Sequence, residues 1–216
     1  MLEHELIRGS EPESRRLMVV LHGLGDSMEG YRWLPVALQL PWMNYLLVNA
    51  PDPYYGGYSW YDFAGEAESG IRRSRALLFE LLEAQRDQGF PTGQTLLFGF
   101  SQGCLLTLEV GLRYPHRLAG LIGISGYVHE PETLLKELSP VAREQRLLVT
   151  HGTLDPLIAL NVVKPQIQRL RAAGIAITWR EFRKEHTLAG DEELAVIREF
   201  VTASYIDGIH ERKLWL

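Results

Sequence analysis

The sequence predicts an α/β layer fold, with a mostly parallel sheet and helices on both of its faces. Two patterns carry that prediction. Six short apolar runs are each bounded by Gly, Pro or a polar turn. A strand buried on both faces reads as such a run, without the in-out alternation of a half-exposed strand. Amphipathic helical stretches separate most of the runs, so that strand and helix alternate about six times. Parallel neighbours need a connection of this kind, because a tight hairpin cannot bring the chain back to the same end of the sheet.

The elements follow in chain order. Residues 17–21 (LMVVL) form the first run and end at His22-Gly23; residues 45–48 (YLLV) form the second. Residues 52–62 (DPYYGGYSWYD), rich in Tyr and Gly, read as a surface loop. The strongest helical pattern covers 66–89, with Ile71, Leu78 and Leu82 on one face and Gly89 at the C′ position. A strand at 95–98 precedes a helix over 102–113, apolar at Leu105, Leu108 and Leu112, with Pro115 beyond its end. Strands at 118–124, 146–150 and 175–182 alternate with helices at 131–138 and 157–173. Asp191 is placed to cap a last helix through Ser204, with Leu194, Ile197 and Val201 on its buried face.

Composition bounds the rest. A chain of 216 residues with 46% hydrophobic and 23% charged residues reads as a single globular domain over 1–216, with 206–216 a C-terminal tail of no assigned role. The net charge of −5 argues against nucleic acid or an anionic membrane as the main partner. One cysteine, Cys104, permits no internal disulfide and fits a reducing, cytoplasmic setting. Residues 1–7 lack the basic and apolar regions of a signal peptide, and no stretch reaches 18 uncharged apolar residues.

Gly99-Phe100-Ser101-Gln102-Gly103 is a G-x-S-x-G pattern lying between a strand and a helix. That context is required of a nucleophile elbow, a sharp turn that exposes a serine hydroxyl. Glycines on either side let the strand and helix approach closely. The competing reading makes Ser101 an ordinary helix cap. The partners of such a serine follow in the order Ser…Asp…His. Asp155 is the only aspartate between Ser101 and His186 and follows the 146–150 strand. It is also placed to cap a helix, with Pro156 at its first position, and a capping carboxylate is poorly placed to orient a histidine. Of the two histidines beyond it, His186 lies in the loop after a strand, whereas His210 lies in the polar tail.

A serine acyl transfer also needs two backbone N–H groups to hold the oxyanion. Gln102, next to the serine, supplies one, and Leu24 in the loop His22-Gly23-Leu24-Gly25-Asp26 supplies the other. That loop lacks the glycine spacing and the lysine of a phosphate-binding loop. Trp60, Tyr61 and Leu157 are candidate pocket residues; Phe63 belongs to the same aromatic cluster, and its role as wall or packing stays open. No histidine spacing suggests a metal site.

With these residues named, the chain resembles the carboxylesterase/phospholipase family that includes the acyl-protein thioesterases. The matching segments are residues 21–26 (LHGLGD), 59–62 (SWYD), 99–103 (GFSQG), 151–156 (HGTLDP) and Glu185-His186, within about 17–203. The resemblance implies a small α/β-hydrolase without a cap domain. It implies Ser101 as nucleophile, Asp155 as acid, His186 as base, and Leu24 and Gln102 as the oxyanion hole. The implied substrate is a small carboxylic ester or thioester, hydrolysed without a cofactor. Two departures stand out. Cys104 replaces a second glycine after the elbow, and residues 54–58 (YYGGY) replace a longer Met-rich loop, which argues against long acyl chains.

Overall fold

The computed structural model describes residues 1–212, with side chains placed through Tyr205. Its elements are β1 (His4–Ile7), β2 (Arg16–Leu21), α1 (Leu34–Leu38), β3 (Met43–Val48), β4 (Asp52–Tyr54), β5 (Gly57–Ser59), α2 (Ala67–Asp87), β6 (Thr95–Phe100), α3 (Gln102–Gly111), β7 (Gly120–Ile124), α4 (Pro131–Lys136), β8 (Leu147–Gly152), α5 (Leu160–Ala172), β9 (Ile177–Phe182) and α6 (Asp191–Arg212). Seven strands form one sheet in the order β1-β3-β2-β6-β7-β8-β9. Only β1 runs antiparallel.

Five of the six apolar runs become the interior strands β2, β3, β6, β7 and β8 because both faces of the sheet are covered there, whereas the 175–182 run becomes the edge strand β9, with only Ile177 buried. Along β2, Leu17, Val19 and Leu21 join the core under α2–α5, while Met18 and Val20 join the opposite core under α1 and α6. Burying a Val or Leu side chain contributes about 1.5–3 kcal/mol, so a strand with partners on both faces gains at every position. Every residue of α3 is buried. Its one charge, Glu109, is met by Arg75 at 3.1 Å and Arg113 at 2.6 Å.

Strand order decides where a site can form. From β2 the chain first moves outward to β3, then returns to place β6 on the other side of β2. Connections leaving the carboxyl ends of β2 and β6 therefore diverge, and a crevice opens between them. The loop after β2 and the turn after β6 are the two segments read from the sequence as oxyanion loop and elbow.

Four expectations are corrected. Residues 52–62 are not an irregular loop: β4 and β5 pair as a hairpin, and Tyr55 (φ 44°) and Gly56 (φ 91°) make its two-residue turn. β1 and α1 have no counterpart in the sequence reading, being short elements with little periodicity. The 157–173 helix starts only at Leu160, because Pro156–Ile158 is bent around the Asp155 carboxylate. The last helix continues past Ser204 to Arg212, with no proline to stop it. Of the expected tail 206–216, residues 213–216 and all of the side chains lie outside the described residues.

Candidate active site

Ser101 sits where β6 turns into α3, at φ 55° and ψ −114°, a conformation that L residues rarely adopt. Two close approaches hold it there. A Cβ on Gly99 would lie 2.0 Å from Gly103 O, and one on Gly103 would lie 2.2 Å from Leu21 O. The elbow glycines are thus pressed against each other and against β2, and no larger residue fits without moving backbone. Ser101 N–H donates to Ile124 O at 2.9 Å, fixing the turn to β7. Its hydroxyl makes no cap bond to α3, which sets aside the helix-cap reading.

The hydroxyl instead meets His186, with Oγ 2.9 Å from Nε2. His186 Nδ1 lies 2.7 Å from Asp155 Oδ2. A carboxylate can only accept, so Nδ1 carries the proton and Nε2 turns its lone pair to the serine. Phe100 packs beside the imidazole, ring centroids 5.0 Å apart.

Asp155 resolves the conflict between capping and orienting by dividing its oxygens. Oδ1 accepts from Leu157 N–H and Ile158 N–H, both at 2.9 Å, and Oδ2 is left for His186. Burial disfavours its charge, but the bonds from Ile158, His186 and Leu157 outweigh that and hold the carboxyl below the usual carboxylate range. His151 secures the same loop: its Nε2–H donates to Ile158 O at 2.8 Å.

Leu24 and Gln102 both border the crevice. Among the described residues, neither backbone N–H donates to a backbone carbonyl. Gln102 opens α3, whose dipole favours negative charge at that end. The loop after β2 is anchored by buried His22. Its Nδ1–H donates to Gly23 O at 2.6 Å and its Nε2 accepts Ala50 N–H at 3.0 Å, which fixes a neutral tautomer. Burial lowers the pKa of this imidazole.

The Gln102 side chain does separate work. Oε1 accepts Trp60 N–H at 2.9 Å and Nε2 donates to Tyr61 O at 3.0 Å, tying the 59–61 segment to the elbow. Trp60 is therefore no pocket residue. It is fully buried behind the wall, with Nε1–H donating to His22 O at 2.9 Å. Tyr61 and Leu157 do line the crevice, and so does Phe63.

The cavity beside Ser101 measures about 520 Å³ and is mainly apolar. The sequence reading missed Phe100, Tyr127, Pro156 and Ile158 among its walls. A usable signal existed for Tyr127: it follows the carboxyl end of a central strand, where pockets of parallel sheets form. Its hydroxyl lies 3.0 Å from that of Tyr61.

A mostly parallel sheet, a serine on a strained strand–helix turn and a histidine–aspartate pair from later strand ends define an α/β-hydrolase. The chain belongs to the phospholipase/carboxylesterase family, whose sequence profile matches residues 2–205, and it is an enzyme of the ester-hydrolase class. It is 37% identical to an acyl-protein thioesterase 1 of Schizosaccharomyces pombe over 158 residues, 65% of this chain and 69% of that one. It is 30% identical to an acyl-protein thioesterase 1 of Yarrowia lipolytica over 164 residues, 68% of this chain and 72% of the relative. Among solved structures, the crystal structure of esterase PE8 superposes with a TM-score of 0.81 at 26% identity, covering 94% of this chain and 98% of that one.

Proposed function

We propose that this protein is a serine carboxylesterase that cleaves small carboxylic esters or thioesters through an acyl-enzyme. The observation carrying the proposal is the continuous Asp155–His186–Ser101 hydrogen-bond chain beside an apolar cavity. Ser101 Oγ attacks the carbonyl carbon as His186 Nε2 takes its proton. The carbonyl π electrons move to oxygen, and the oxyanion is held by Leu24 N–H and Gln102 N–H. Asp155 stabilises the imidazolium. His186 then protonates the leaving alcohol or thiol as its bond to carbon breaks. Water, deprotonated by His186, attacks the acyl carbon, and His186 returns the proton to Ser101 Oγ as the acyl–Oγ bond breaks and the acid leaves.

A cavity of about 520 Å³ has room for both halves of a small ester. Tyr61 and Leu157 would contact the substrate. The reaction calls for no cofactor or metal, and a single domain carries all of the groups named. The work is assigned to the cytoplasm, in keeping with one buried free cysteine. Among the described residues, no helix is long and apolar enough to cross a membrane.

A second reading, thioester cleavage on acylated proteins or a lysophospholipase activity, draws on the names of the two relatives and of the family and on an apolar rim. Phe63 is 70% exposed and Leu157 74% exposed at the crevice. Comparing acetyl, butyryl and octanoyl esters with matched thioesters separates the two readings.

The direct test is Ser101→Ala with p-nitrophenyl butyrate. Turnover is expected to fall at least about a thousand-fold with the fold intact, and a fluorophosphonate should label Ser101 of the unaltered enzyme. Undiminished turnover in the variant overturns the proposal. Failure of the probe to label would favour a catalytically silent binding protein.

A further inference from the structure

We infer that Glu193 and Lys184 are positioning residues, a buried clamp that holds the loop carrying His186 in register with Ser101 and Asp155. The inference rests on the proposed role of His186 as base. The loop joins β9 to α6, and its own backbone supplies little order around the histidine: the local bonds are Lys184 N–H to Phe182 O and Thr187 N–H to Glu185 O, both 2.9 Å. Glu193, in the first turn of α6, reaches back into it. Its carboxylate accepts from Lys184 Nζ at 2.6 and 2.8 Å and from Ala189 N–H at 2.6 Å, and also from the Thr150 hydroxyl of β8. One side chain therefore grips the loop two residues before His186 and three residues after it, and ties both points to a central strand.

Two further bonds extend the grip to the acid. Thr153 N–H donates to Phe182 O at 2.9 Å and Leu154 N–H to Lys184 O at 3.1 Å. The segment leading to Asp155 and the segment leading to His186 are thus zipped together beside the clamp. The ion pair is almost wholly enclosed, with side-chain exposures of 3% for Lys184 and 0% for Glu193. Enclosing two charges costs desolvation that an apolar pair would avoid, so a buried ion pair is weak evidence for a stability role. It does supply directional bonds at fixed points, which an apolar pair cannot. Catalysis needs that property here, because a misplacement of about 1 Å can cost on the order of a hundred-fold in rate.

The test replaces the pair with an apolar one, Lys184→Met with Glu193→Leu, in the full-length enzyme. The double variant also strips the Thr150 hydroxyl and Ala189 N–H of their acceptor, so it should melt at a lower temperature while staying folded under assay conditions. Its kcat should fall about ten- to a hundred-fold with KM unchanged. The low-field proton resonance of the His186 Nδ1–H bonded to Asp155 should broaden or vanish. A folded variant with kcat within about twofold of the unaltered enzyme and a sharp resonance overturns the inference. If the double variant does not fold, Thr150→Val decides. Loss of the one hydroxyl should lower kcat and broaden the resonance, Thr150→Ser should restore both, and no change in Thr150→Val overturns the clamp. Ser101→Ala, run alongside, tests the proposed reaction itself. Should it stay active, that reaction falls, while the resonance still reads the clamp without turnover.

Discussion

The two halves of the site are held by different physics. The half holding Ser101, the proposed nucleophile, where β2, β6 and α3 meet, is positioned by contact: Gly99, Gly103 and Leu21 leave no volume to spare. The half holding the proposed acid and base, beyond β8 and β9, is positioned by hydrogen bonds: Asp155 divides its oxygens between His186 and its own loop. Packing tolerates no added atom but is indifferent to pH. Polar positioning tolerates shape better and is vulnerable to loss of a proton, a charge or an acceptor. A serine need only be presented, whereas a base must also carry a defined tautomer, and only directed bonds supply that.

The largest expected effect comes from breaking the polar half at constant volume. Asp155→Asn should lower kcat about ten-thousand-fold with the fold retained, because an amide N–H can favour the wrong imidazole tautomer; steady-state hydrolysis of p-nitrophenyl butyrate reads this. Next comes the packed half. Gly103→Ala places a Cβ 2.2 Å from Leu21 O and should cost about 4 kcal/mol of stability in a urea titration. Gln102 joins the halves, and Gln102→Met should cost about 1–3 kcal/mol by stripping Trp60 N–H of its acceptor. The variant keeps the backbone N–H of residue 102, so at a temperature where it stays folded its kcat should change less than that of Asp155→Asn.

The smallest effect sharpens the contrast through pH. Burial lowers the folded pKa of His22 and of His151 from the ordinary 6.5. Their neutral burial therefore contributes fully above that value, and stability declines as pH falls below it and the unfolded chain takes up protons. The carboxyl of Asp155 is held below its ordinary 3.8 in the folded protein. The stability it contributes is complete above 3.8 and lost as pH falls through the lower folded value. Urea midpoints of the unaltered enzyme and Asp155→Asn should therefore converge below pH 3.8. A gap that stays constant through that range would mean that Asp155 acts by shape alone.

Much of this was legible in the chain. Six apolar runs became six of the seven sheet strands, and in the five interior ones burial on both faces writes itself directly into composition. Ser101 could be picked from its G-x-S-x-G pattern between strand and helix, and Asp155 and His186 from chain order, since one aspartate and one well-placed histidine were available. The first strand escaped notice because four half-buried residues carry only a short, weak pattern. Trp60 was misassigned because a buried aromatic and a pocket aromatic look alike in sequence, and only the path of the chain past His22 separates them.

By itself, then, the sequence determined the layer architecture, the elbow and the identity of the three catalytic candidates. Each of these depends on local pattern or on order along the chain. The tertiary structure alone decided how Asp155 serves both a loop and a histidine, which aromatics face the crevice, and how Glu193 reaches Lys184, Ala189 and Thr150 together. Those relations depend on which groups face one another across separate elements, and directional bonds between distant segments leave no periodic trace in a sequence.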